Sequence, residues 1–223
     1  MKFLCYRHTK EKPVTIGIMF EGDENIYPIS LYDLEYTSMI DLIRNITPAE
    51  KERLIGMPKP LYGFVPLTDV IKVSPVPYLT QDVICLGINY MEHAEESARF
   101  KKETFAGERP HAVYFSKRVN EPVPDGGAVN GHFDIVDSLD YEVELAVILG
   151  KDAYQVRAED ALEYVFGYTI LNDISARNLQ TRHSQWYFGK SLDSFCPLGP
   201  YIVTADSFEF EPKLAIRSYV NGE

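Results

Sequence analysis

The sequence predicts an α+β protein: a small N-terminal α/β domain over residues 1–72, a linker over 73–81, and a longer strand-rich domain over 82–223. Three observations carry this. Short runs of β-branched and aromatic residues recur along the chain, bounded by Gly, Pro, Asn and Asp clusters. The clearest helical patterns sit side by side, before residue 57. A stretch bearing two prolines, KVSPVPYLTQ, then separates this part from the rest.

The elements follow in order. TIGIMFEGDENIYPIS reads as two strands around the turn residues Gly22, Asp23 and Asn25. SMIDLIRNI has helical spacing. TPAEKERLIG predicts a second helix with Thr47 as cap, Pro48 at its first position and Gly56 at its end. Beyond the linker, DVICLGINY and AVYFSK read as strands. Between them lies MEHAEESARFKKETFAGERPH, a charge-dense stretch with too few apolar residues to be held firmly. RVNEPVPDGGAVNGHFD is a loop, AEDALEYVF a helix, GYTILND a strand ending in an acid, and SARNLQTRHSQWYFGKS mostly helix and loop.

Composition narrows the function. The 223 residues are 45% hydrophobic and 25% charged, as in ordinary globular chains. A net charge of −11 argues against nucleic acid as a partner. Three cysteines, far apart and in no C-x-x-C pair, read as reduced thiols and suggest a cytoplasmic protein. No stretch approaches the roughly 18 apolar residues of a membrane span, so no membrane partner is expected.

One strand raises a chemical question. In LDYEVELAVILG, residues i and i+2 share a face about 7 Å apart. Tyr141, Val143, Leu145, Val147 and Leu149 read as the core face. The other face runs Asp140, Glu142, Glu144, Ala146, Ile148. A solvated edge with two exposed acids would explain the glutamates, but Ala146 and Ile148 suggest that this face is covered too. Covered carboxylates repel unless a proton or cation lies between them. Asp173, closing YVFGYTILND, is a third acid at a strand end, although it could instead cap the helical turn near Ser175. Three such carboxylates form an all-oxygen site suited to Mg²⁺ or Mn²⁺. Zinc would call for His or Cys, which are not near in sequence.

Read together, LDYEVELAVILGK, FGYTILNDISARNLQ, FGKSLDSFCPLGP, CLGINYMEHAEE and VYFSK resemble the fumarylacetoacetate hydrolase family, specifically the catalytic domain of its short bacterial members. The resemblance covers roughly residues 80–223. It implies a mixed β-roll, a homodimer, and Mg²⁺ or Mn²⁺ held by Glu142, Glu144 and Asp173. It further implies a catalytic pair, His93 and Glu96, one helical turn apart and able to deprotonate a water. Without the family, that acid-rich segment would read as a surface salt-bridge helix. Lys117, Arg177, Gln180 and Lys190 match positions that contact substrate or line the site; each could otherwise be a solvated polar side chain, and Arg177 could pair with an internal acid. GKS at 189–191 also resembles the end of a phosphate-binding loop, but Ser184 stands where that loop needs Gly.

The implied activity is cleavage of a C–C bond in a small 2-oxo acid, through an enolate stabilised by the cation acting as Lewis acid. Hydrolysis of an acylpyruvate or fumarylpyruvate stands slightly ahead of oxaloacetate-type decarboxylation. Isomerisation of an unsaturated 2-oxo-diacid is the alternative, and a non-catalytic binding protein of the same fold is the reading from another class. Finally, LAIRSYVNGE leads alternating residues into Asn221-Gly222, a strong hairpin signal. A hairpin requires a return strand, so the β-roll is expected to be truncated here and the natural protein longer.

Overall fold

The computed structural model describes residues 1–87, 111–208 and 214–223. Its centre is an antiparallel sheet. The first strand, β1 (Lys2–Arg7), pairs with β2 (Thr15–Met19), which pairs with β3 (Asn25–Pro28) and through it with the short β4 (Val65–Pro66). The other edge of β1 is shared. Its start pairs with β12 (Leu198–Thr204), and its end with β5 (Ile71–Val73). Beyond β12 lie β10 (Val165–Asn172) and β9 (Val143–Leu149). Strands from residues 1–72 and from residues 82–223 therefore join in one sheet. The proline-bearing stretch begins inside β5, and its Ser74, Pro75 and Val76 are buried.

Two helices cover the N-terminal strands, and each starts where its sequence provides a cap. In α1 (Met39–Asn45) the Ser38 hydroxyl accepts from the Asp41 amide. In α2 (Pro48–Gly56) Thr47 and Glu50 form a reciprocal capping box. Their apolar faces close a core in which Leu42 and Leu54 meet Phe3 and Ile18, and which continues to Phe166, Leu198 and Ile202.

Three local expectations are corrected. The strand over 139–150 is broken: β8 (Leu139–Asp140) pairs with β11 (Ser175–Ala176), and only Val143–Leu149 joins the main sheet. Its faces are also reversed. Leu145, Val147 and Leu149 point outward and are exposed, while Ala146 and Ile148 pack on the main core. Period-two alternation says that two faces differ, not which one is inside. Residues 158–164 form a 3₁₀ helix, and Val165 and Phe166 of the expected helix belong to β10, where Phe166 fills the core. The Asn221-Gly222 turn does form. Both residues have positive φ, and Val220 and Glu223 exchange two backbone hydrogen bonds. The preceding residues 214–219 are exposed and in no strand.

Candidate active site

The site lies where one β-ladder stops and the next begins. Asn172 is the last partner of Val143, and Ser175 is the next to pair, with Asp140. Across this gap the Asp173 amide donates to the Glu142 carbonyl at 2.7 Å, and the Glu142 amide donates to Asn172 Oδ1 at 3.0 Å. These bonds place the Glu142 and Asp173 side chains beside each other. Glu144 follows two residues along β9, opposite Leu171.

Cations fill the space around the acids. Lys117 ends β7 (Val113–Lys117), which pairs with β6 (Val83–Gly87). Its ammonium donates to Asp173 Oδ1 at 2.7 Å, to the Ile174 carbonyl at 3.1 Å, and to the Lys190 carbonyl. All three donors are used by a side chain with no solvent exposure. Lys190 ends a short helix, α4 (Tyr187–Lys190), which packs against α3 (Arg177–Arg182). The contact depends on Gly189, since a Cβ there would sit 2.5 Å from the Gln180 amide nitrogen. Lys190 Nζ donates to Glu142 Oε2 at 2.7 Å, Asp173 Oδ2 at 2.6 Å and Ser175 Oγ at 2.9 Å. Arg177 opens α3 and bridges Asp140 at 2.7 Å and Glu142 Oε1 at 2.6 Å, while its other terminal nitrogen donates to Gln180 at 2.8 Å.

Among the described residues, three carboxylates (Asp140, Glu142, Asp173) thus meet three cations (Lys117, Arg177, Lys190), and these six groups balance in charge. Burial favours the neutral form of Asp173, but Lys117 and Lys190 outweigh it and hold the carboxyl below the usual range. Burial lowers the Lys117 ammonium, against the opposing pull of Asp173. Burial would also lower Arg177, but Asp140 and Glu142 raise it. Two cysteines flank the cluster electrostatically. Burial pushes Cys85 up to about 12 and Cys196 up to about 11, so both are thiols in the metal-free chain.

The structure therefore gathers Glu142, Asp173, Lys117, Lys190, Arg177 and Gln180 into one network. His93 and Glu96 lie outside the described residues. Among the described residues no cluster of three or more His, Cys, Asp or Glu side chains forms a ready ligand set for a metal. Lys190 Nζ occupies the point on which the Glu142 and Asp173 oxygens converge. Sequence reasoning missed Asp140 and Ser175 as members. Asp140 stands two residues before Glu142, on the face that carries the paired glutamates, and that spacing was its signal. Ser175 gave no signal, because its hydroxyl reaches the site only through the backbone turn after Asp173.

The fumarylacetoacetate (FAA) hydrolase C-terminal family matches residues 82–223. Oxaloacetate tautomerase YisK of Bacillus subtilis is 41% identical over 157 residues, which are 70% of this chain and 50% of that protein. Among solved structures, a fumarylacetoacetate hydrolase from Exiguobacterium antarcticum is 32% identical with a TM-score of 0.66, covering 94% of this chain and 68% of that one. A 5-carboxymethyl-2-hydroxymuconate delta-isomerase from Mycobacterium smegmatis is 26% identical with a TM-score of 0.58, covering 92% and 67%. The chain spans about half the length of the curated relatives it matches.

Proposed function

From the premise that the chain belongs to the fumarylacetoacetate hydrolase family, we propose that it serves an enzyme forming the enolate of a small 2-oxo acid at a Mg²⁺ or Mn²⁺ site built on Glu142, Glu144 and Asp173. The observation that carries this reading is the convergence of Glu142 Oε2 and Asp173 Oδ2 on a single buried cationic position. Hard carboxylate oxygens aimed at one point fit a divalent ion such as Mg²⁺ or Mn²⁺. When bound, that ion would supply Lewis-acid stabilisation of negative charge on the keto oxygen.

The chain's own residues have separate tasks. Arg177 and Lys117 each fix one oxygen of a carboxylate, so the remaining oxygens are aimed without rotameric freedom. Lys190 adds positive charge beside them for an anionic substrate. Asp173 is a poor base, because the two lysines favour its ionised form. Removal of the C3 proton is therefore assigned to Glu96 with His93.

The fate of the enolate decides the reaction. The activity for which the 41%-identical relative is named favours tautomerisation of oxaloacetate, and this moves ahead of the C–C cleavage that the sequence suggests. Cleavage by hydrolysis or decarboxylation is the second reading, supported by the fumarylacetoacetate hydrolase among the solved structures. The family homodimer remains part of the proposal, as does a cytoplasmic location; among the described residues no helix is long and apolar enough to cross a membrane. The test is a panel of oxaloacetate, acetylpyruvate and fumarylpyruvate, each with Mg²⁺, Mn²⁺ or chelator. Enol absorbance and pyruvate release are monitored in parallel. Loss of enol absorbance without pyruvate is expected with oxaloacetate and metal. Turnover that survives chelation removes the metal from the proposal, and turnover of none of the three favours a binding protein.

A further inference from the structure

Each central carboxylate is held by two cations, and one cation is common to both. Glu142 gives Oε1 to Arg177 and Oε2 to Lys190, whereas Asp173 gives Oδ1 to Lys117 and Oδ2 to Lys190. Arg177 and Lys117 are anchored elsewhere as well, by Asp140 and Gln180 and by two backbone carbonyls. Lys190 is different. Its remaining bond goes to the Ser175 hydroxyl, and its ammonium stands 5.1 Å from the centre of the Phe115 ring. A hydroxyl and an aromatic face can both keep a cation that has left its carboxylates.

We propose that Lys190 is a built-in counter-cation of the Glu142–Asp173 pair, which a divalent ion must displace toward Ser175 and Phe115 in order to bind. The proposal rests on the reading of that pair as metal ligands. Without any cation, two covered carboxylates aimed at one point would repel and would lack solvation. A tethered ammonium solves this at high effective concentration, so the metal-free chain folds with the Glu142–Asp173 pair bridged by a cation. A divalent ion carries twice the charge and draws carboxylate oxygens to about 2.1 Å, inside the 2.6 and 2.7 Å that Lys190 achieves. The exchange needs only side-chain rotation. Gly189 keeps the backbone of α4 pressed on α3, where a displacement would break the close contact with Gln180.

The exchange also changes the charge of the site. Counting Glu144 as a ligand, four carboxylates facing three cations become four facing three cations and a divalent ion, so the charge of these groups changes from −1 to +1. An anion is then attracted to the released ammonium. Metal and a dianion such as oxalate should therefore assist each other's binding, with Lys190 as the link between them.

The test compares the metal-free 223-residue chain with its Lys190→Met variant. Calorimetry should show Mn²⁺ binding about tenfold or more tightly to the variant, because the competitor and its charge-assisted bonds are gone. The variant should also melt lower than wild type without metal and gain more from Mn²⁺, and oxalate, which still coordinates the ion directly, should improve its Mn²⁺ affinity less than that of wild type. Equal or weaker Mn²⁺ binding by the variant overturns the proposal. Glu142→Gln separates the two ideas. If it loses Mn²⁺ while Lys190→Met gains nothing, the metal site stands and the counter-cation falls. If no protein in the set binds Mn²⁺, both fall. Should Lys190→Met not fold, ¹⁵N signals of the lysine ammonium groups in wild type decide. Mg²⁺ should move the Lys190 signal, assigned with Lys190→Arg, and leave that of Lys117 in place. A Lys190 signal unmoved at saturating Mg²⁺ overturns the exchange.

Discussion

Replacing Lys117 with Met tests whether the buried ion network supports the fold as well as the chemistry. The substitution keeps an unbranched apolar stem of similar length and removes the ammonium. Three acceptors then lose their donor: Asp173 Oδ1, the Ile174 carbonyl and the Lys190 carbonyl. Lys117 has no exposed side-chain surface and Asp173 has 5%, so water cannot replace the lost bonds. Breaking one side of a buried pair costs about 3–5 kcal/mol. Lys190 still neutralises the other Asp173 oxygen, which places the expectation near the lower end, at about 3 kcal/mol. Against a typical total of roughly 5–15 kcal/mol this is a large fraction. With a urea dependence of about 2 kcal/mol per M, the midpoint should fall by about 1.5 M. Urea titration monitored by circular dichroism and by the fluorescence of Trp186, the only tryptophan, reads this directly, since Trp186 packs on Phe115 next to Lys117. A double-mutant cycle with Asp173→Asn should show coupling of about 1 kcal/mol or more. A midpoint shift under about 0.3 M would sink the argument that this pair is inaccessible to solvent and energetically coupled.

Other expectations rest on the same geometry. Glu142→Gln or Glu144→Gln should weaken Mn²⁺ binding at least about tenfold in calorimetry, and equal affinity in wild type and both variants would reject the ligand assignment. Glu96→Gln should slow both tautomerisation of oxaloacetate and hydrolysis of acylpyruvates by about 10²-fold, the usual scale for a general base; tautomerisation at the wild-type rate would take the C3 proton away from Glu96. Asp23 supplies a pH signature: burial pushes its carboxyl up, but hydrogen bonds from Tyr27, Asn25 and Lys59 outweigh this and hold it at about 2. A depressed acid stabilises the fold above its ordinary value near 3.8, and that contribution is lost as pH falls through about 2. Asp23→Asn should therefore flatten the fall in melting temperature between pH 4 and 2, and an unchanged slope would count against the network. Gly189→Ala should lower the melting temperature and disturb Lys190, because its new methyl group meets the Gln180 amide nitrogen at 2.5 Å; an unchanged melt would show that α3 and α4 separate easily.

The sequence by itself determined what depends on near neighbours. The cap at Thr47, Pro48 at a helix start and the Asn221-Gly222 turn are local physics, and each forms where its residues predict. The motif residues were legible for the same reason, since fixed short spacings carried the resemblance to a family that matches residues 82–223. Tertiary structure decided the rest. Which face of β9 turns inward depends on what lies against it, and alternation carries no such information. Pairing of β1 with β12 joins residues some 200 positions apart, a contact that no local pattern encodes. The state of the acids belongs to this class too. Glu142 and Asp173 are near-neighbours only because a ladder ends between them, and Lys117 and Lys190 reach them from two other elements. The sequence could show that covered carboxylates need a cation. Only the folded chain shows that a lysine of its own is already there, because long-range electrostatic pairing is settled by distance in space and not along the chain.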